Sequence, residues 1–319
     1  MAMAGEPAPV QIVHPRDVVL APGGGISVRR TLPDRHRSLI GAWCFLDHFG
    51  PEEPSVHGGM RVAPHPHTSL QTVTWLFSGK VEHRDSLGTR MVVRPGQLNL
   101  MTAGRGINHS EYSTHDSETL HGVQLWTALP AAHRLTDPRF DHYEPQPVTI
   151  GEHRVSVFLG RLAGATSPVG TFSPLVGAEI VLGAGELALD VDPGWEYGLL
   201  VDSGAISVDG EALADAELGY LAPGRTRLVI RQEADGPRPT RVVLIGGAPF
   251  GEQIIMWWNF VGRTHAEVVN YQANWQAAIG QSNGEGTNPR QFGPITALTD
   301  REPPIPAPPL PPVHLRPRG

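Results

Sequence analysis

Residues 65–79 read HPHTSLQTVTWLFSG, and the end of this run has a counterpart further along the chain, GLLVDSG at residues 198–204. Each is a short apolar, β-prone run that stops at a Ser-Gly turn. A shift of 125 residues lays Gly79 on Gly204, Gln71 on Glu196, His67 on Asp192 and His65 on Asp190. Self-similarity at a fixed offset is the mark of a duplicated unit. Working outward, short strand-like runs separated by turns such as Pro33-Asp34, Asp85-Ser86-Leu87-Gly88 and Arg94-Pro95-Gly96 fill residues 23–129. Turns at Asp192-Pro193-Gly194, Asp209-Gly210 and Ala222-Pro223-Gly224 punctuate a second such region. The pattern predicts an all-β protein of two β-barrels. The expected organisation is an N-terminal arm (1–22), a first barrel (23–129), a linker (130–151), a second barrel with a late helix (152–280) and a tail (281–319).

Composition agrees with frequent turning. Gly and Pro together account for 68 of 319 residues, about twice the usual share. The late helix is expected from Thr264-His265-Ala266-Glu267, which fits a capping box, followed by Val268, Tyr271, Gln272, Trp275 and Ile279 at helical spacing. Residues 301–319 carry eight prolines and are expected to form an extended, solvated tail that adds nothing to a core.

Several function classes are disfavoured. The formal net charge is −7 with no block of Lys or Arg, so the electrostatic footprint of direct nucleic-acid binding is missing. Residues 1–20 lack the charged and apolar regions of a secretory signal, and no apolar run approaches the length of a membrane span. Cys44 is the single cysteine, which excludes an internal disulfide and any multi-cysteine zinc site. The expectation is a cytoplasmic protein with no membrane partner.

The chemistry concentrates in the first region, where seven of the 15 histidines lie between His57 and His121. Two pairs have ligand spacing: His65-Pro66-His67 and His109-Ser110-Glu111. On a strand, residues i and i+2 share a face, so each pair can aim two side chains into a barrel interior. Three imidazoles and one carboxylate suit one divalent transition metal, Fe, Mn, Ni, Cu or Zn, with positions left open. His57, His83, His115 and His121 lack this pairing and are read as surface residues or supports behind the ligands. Gly104 and Gly106 would permit a tight turn with a close backbone approach to the metal, and Arg105 between them could hold a substrate anion or form a surface ion pair. Asp190 and Asp192, at the duplicated positions, are read as a solvated pair, which leaves one metal per chain.

These segments, with HRDSLGT (83–89), RPGQLNLMTAGRGINHSE (94–111) and AWCFLDHFGP (42–51), resemble the N-terminal half of the pirin family, a branch of the bicupins. GGAPFGEQIIMWWNFV (246–261) is similar to that family's C-terminal segment. The resemblance implies two cupin-type barrels and one iron, Fe(II), held by His65, His67, His109 and Glu111. Where many pirins read GFETVT after HPH this chain reads SLQTVT, so Gln71 replaces a carboxylate expected near the metal.

The resemblance also implies a reaction, oxidation of a flavonol such as quercetin by O2, with Glu111 as metal ligand and as the base that takes the flavonol proton. Some pirins resemble metal-dependent regulators, so the alternative is an adaptor that binds a transcription factor or a metabolic enzyme. A third reading is a bicupin whose metal serves stability alone.

Overall fold

A computed structural model describes residues 8–20, 26–53, 59–117, 119–233, 239–281, 288–295 and 302–319. The chain forms two compact units that are not consecutive in sequence. One holds the described residues of Met1–Arg16, Arg29–His48 and Tyr143–Phe250. The other holds those of Asp17–Val28, Phe49–His142 and Gly251–Gly319.

In the second of these units lie β1 (Arg61–His67), β2 (Leu70–Ser78), β3 (Val81–Asp85), β4 (Arg90–Val93), β5 (Leu98–Thr102), β6 (Ile107–Ser113) and β7 (Leu120–Ala128). One layer has the order β5-β2-β7 and the other β1-β6-β3-β4. The other unit repeats the plan. Its strands are β8 (Leu175–Val181), β9 (Glu186–Asp190), β10 (Glu196–Ser203), β11 (Ile206–Val208), β12 (Glu211–Leu213), β13 (Leu218–Leu221), β14 (Arg227–Gln232) and β15 (Arg241–Gly247). Their orders are β13-β10-β15-β8 and β9-β14-β11-β12. The matched Ser-Gly turns are real: Gly79 and Gly204 follow β2 and β10 with φ of 82° and 86°, a conformation that a side chain disfavours.

Alternation decides which face is buried. In β9, Leu187 and Leu189 enter the core while Glu186 and Asp190 are exposed; in β14, Leu228 and Ile230 enter while Arg227 and Arg231 do not. Tyr197, Leu199 and Val201 of β10 and Val242 and Leu244 of β15 supply the facing layer. Each such aliphatic side chain contributes about 1.5–3 kcal/mol by leaving water.

The chain after Gly251 departs from the expected organisation. β16 (Ile255–Trp257), β17 (Phe260–Gly262) and α1 (His265–Ala278) belong to the unit of β1–β7, not to that of the second repeat. The helix cap forms as expected on one side, with the Thr264 hydroxyl accepting the Glu267 N–H at 3.2 Å. The Glu267 carboxylate returns to the N–H of Arg263 instead of Thr264, at 2.7 Å. Tyr271 and Trp275 pack with Phe260, Phe292 and Ala307. The Pro-rich tail is extended but docked. Ile305 N–H donates to Pro64 O (2.8 Å), the Trp275 indole to Ile305 O (2.8 Å), and Gln272 Nε2 to Pro308 O (2.7 Å). Prolines leave carbonyls without competing N–H groups, and side-chain donors of α1 satisfy them. No helix among the described residues is long and apolar enough to cross a membrane.

Candidate metal centre

β1 reads RVAPHPH, and two prolines in seven residues restrict it to a sheet edge, where it lies beside β6. The ladder places His109 opposite His65 and Ile107 opposite His67. It then slips, so that Glu111 faces Val62 across an irregularity between His109 and Glu111. Irregularities of this kind re-aim side chains. On its other side β6 pairs with β3, which sets Glu111 opposite His83 and His109 opposite Asp85.

The four side chains expected as ligands are all buried, His67 and His109 to 1% exposure and His65 and Glu111 to 5%. Ligand atoms of His65, His67 and His109 lie within 4.8 Å of one another, and His67 Nε2 is 3.0 Å from His109 Nε2. Glu111 does not fall in that group. Together with His83 it forms a second cluster, which shares His109. The Glu111 carboxylate accepts the Thr74 hydroxyl at 2.9 Å.

Hydrogen bonds fix the orientation of two rings. His65 Nδ1 is 2.9 Å from Ala63 O and His67 Nδ1 is 3.1 Å from Asn259 O. A carbonyl only accepts, so both Nδ1 atoms carry the proton and both Nε2 atoms present lone pairs. Burial holds His65 down to about 4. Burial and the adjacent imidazoles hold His67 and His109 well below the ordinary histidine value. These rings are therefore neutral near pH 7, the form that binds a metal. Burial pushes the Glu111 carboxyl upward, and a neighbouring cation would relieve that cost. The Nε2 atoms of His67 and His109, 3.0 Å apart and buried away from water, need a proton or a cation between them. The residues present fit a borderline transition metal.

The other expectations fare differently. Gln71 is buried but spends its amide on the hydroxyls of Thr102 and Thr127, and it has the opposite strand parity from Thr74, which reaches Glu111. It does not meet the imidazoles. Arg105 is exposed and pairs with Asp137 on the surface. Gly104 and Gly106 do permit close backbone approach, but to other chain segments: a Cβ at Gly104 would sit 1.9 Å from Thr136 O, and one at Gly106 2.8 Å from Gln291 O. His57 lies outside the described residues. His83 is the residue that the spacing argument passed over. It is buried against Asp85, with Phe140 over its ring at 4.7 Å. Its only sequence signal was the HRD run on a strand that pairs with the HxE strand.

The second repeat explains its own lack of ligands. Where β6 sets His109 against His65 and Glu111 against His83, β14 sets Leu228 against Leu189 and Ile230 against Val208. All four are core residues. The irregularity in the β1–β6 ladder shifts the alignment by one, so the counterpart of His65 is Leu189 and not Asp190. Asp190 is exposed, and Asp192 closes a turn by accepting the Gly194 N–H. Neither belongs to a cluster of three ligating side chains among the described residues.

Two repeats of one two-layer strand plan, with a buried imidazole cluster in one and a hydrocarbon core in the other, define a double-cupin protein. Residues 25–127 match the family Pirin, and residues 179–279 match the Pirin C-terminal cupin domain. A Pseudomonas aeruginosa protein named "Putative quercetin 2,3-dioxygenase PA1205" is 47% identical over 292 residues, 91% of this chain and 87% of that protein. A pirin-like protein of Caulobacter vibrioides is 35% identical, covering 80% and 89%. The crystal structure of a quercetin 2,3-dioxygenase from Acinetobacter baumannii superposes with a TM-score of 0.86 at 35% identity, over 95% of this chain and 96% of that one. The chain belongs to the pirin family.

Proposed function

We propose that this pirin is an Fe(II)-dependent dioxygenase of the quercetin 2,3-dioxygenase type, with His65, His67, His109 and Glu111 holding one metal per chain. The observation that carries the reading is the buried convergence of three neutral imidazoles, with the Nε2 atoms of His67 and His109 3.0 Å apart. Similarity to a quercetin 2,3-dioxygenase over nearly the whole chain supports the reaction class. When bound, such a metal supplies Lewis acidity toward a flavonol oxygen and a site for O2.

The protein's own part is orientation and proton handling. Ala63 and Asn259 carbonyls lock His65 and His67 in the metal-binding tautomer. Trp126, edge-on to His67 at 5.0 Å, packs against that ring and helps keep water out. Glu111 is the base for the flavonol hydroxyl: its Oε1 accepts the Thr74 hydroxyl, and its second oxygen can take the proton. A lone buried Cys44 suits a cytoplasmic setting.

Glu111→Gln tests this. The variant keeps size and one acceptor oxygen but loses charge and basicity, so it should hold metal more weakly. At equal metal occupancy its flavonol turnover should fall by roughly two orders of magnitude. Equal rates per bound metal would remove Glu111 from the chemistry. A wild type that binds metal but consumes no O2 with any flavonol would favour the regulatory role instead.

A further inference from the structure

The carboxylate of Asp85 is buried and oriented on both oxygens. Its Oδ1 accepts the N–H groups of Leu87 (2.9 Å) and Thr89 (3.1 Å), and its Oδ2 lies 3.0 Å from His83 Nε2. His83 Nδ1 in turn lies 3.4 Å from His109 Nδ1. A chain of three side chains thus runs from a β-turn to the imidazole whose Nε2 faces His67. Nothing in the ligand set itself accounts for this arrangement, and among the described residues no carbonyl orients His109 as Ala63 and Asn259 orient the other two rings.

We infer that Asp85 and His83 form a positioning relay that fixes the tautomer of His109 and thereby the metal affinity of the centre. Asp85 only accepts, so His83 donates from Nε2 and presents a lone pair at Nδ1. That lone pair accepts the proton of His109 Nδ1, which frees His109 Nε2 as a ligand. Ladder geometry builds the relay from sequence: Asp85 lies opposite His109 and His83 opposite Glu111, so HxD on β3 meets HxE on β6. Support of a ligating histidine by an outer hydrogen bond raises its basicity and holds its plane, and loss of such a partner typically lowers metal affinity 10–100-fold. The second repeat has Val208 where this one has His83, in keeping with a core that has no ligand to orient.

This inference rests on the proposed ligand set, and the test separates the two. Asp85→Asn is the decisive variant. Its Oδ1 can still accept from Leu87 and Thr89, but its amide now donates to His83 Nε2. The His83 proton then moves to Nδ1, and His109 is left with its own proton on Nε2, facing the metal. Ni(II) alone is titrated into the metal-free full chain in competition with a chelator, and the ring tautomers are read by 15N NMR. Asp85→Asn and His83→Phe should each bind Ni(II) 10–100-fold more weakly, and Asp85→Asn, which keeps a hydrogen-bonding partner for His83, should keep a metal-free melting temperature close to wild type. In wild type the His109 proton should sit on Nδ1. Unchanged affinity in both variants, or a wild-type His109 protonated on Nε2, would overturn the relay. So would a second Ni(II) per chain that disappears in His83→Phe, because His83 would then be a ligand. His109→Ala is the control: if it binds Ni(II) as wild type does, the ligand set fails, whereas failure of the relay leaves that control intact.

Discussion

Ending the chain at Thr299 should destabilise this protein, although the composition of the tail predicts no effect. The cut removes Ile305, whose carbonyl accepts the indole N–H of Trp275 and whose N–H caps the Pro64 carbonyl, both at 2.8 Å. It also removes Ala307, buried against Phe260, Tyr271, Trp275 and Phe292, and the paired bonds between Ile254 and Arg318. The indole bond is worth about 1 kcal/mol. Uncovering one side of the aromatic cluster costs about 1–3 kcal/mol more. The remaining backbone bonds are offset by the freedom that the released residues regain. A net loss of about 2–4 kcal/mol corresponds to a fall in melting temperature of roughly 5–15 °C for a unit of this size. Thermal melts of metal-free and metal-loaded protein would show it. Metal retention should weaken several-fold as well, because Pro64 immediately precedes His65 on an edge strand. A melting temperature within a degree of the full chain would refute the docked strap.

Other outcomes follow from the same structure. Gly104→Ala should cost about 2–4 kcal/mol and lower metal content, since φ is +51° and the new Cβ would overlap the Thr136 carbonyl. Metal-free protein should lose stability to urea as pH falls from about 6.5 toward about 4. In that window an unfolded His65 takes up a proton that the folded one refuses, and His67 and His109 act in the same direction. Glu111 and Asp47, with folded values raised, oppose this, while Glu82 and Glu252, with folded values lowered, add to the loss at the acid end of the window, so a stability that rose on acidification would contradict the assigned burial costs. Asp190→Asn and Asp192→Asn should leave metal stoichiometry unchanged by elemental analysis.

How much was legible in sequence depended on whether the signal was local. The i, i+2 spacing of His65/His67 and His109/Glu111 is a strand property, so a linear reading could find those side chains. His83 could not be found that way, because its significance comes from lying across the ladder from Glu111. The duplication was visible in the Ser-Gly turns, yet a simple shift of 125 set Asp190 on His65. The irregularity beside His65 adds one residue to that register and makes Leu189 the true counterpart. Composition predicts an extended tail but says nothing of partners elsewhere in the chain: Trp275 and Gln272 donate to its carbonyls, and the Gln276 Oε1 accepts the Ala307 N–H. A chain that returns after Gly251 to the unit of β1–β7 likewise leaves no mark on a division drawn along the sequence.

The central claim is most directly tested by O2 uptake of Fe(II)-loaded wild-type protein with a flavonol, measured beside its metal content. The account predicts about one metal per chain and equimolar loss of O2 and flavonol, abolished when a chelator strips the metal and restored when Fe(II) returns. Full occupancy of His65, His67 and His109 with no O2 consumed across a panel of flavonols would contradict it.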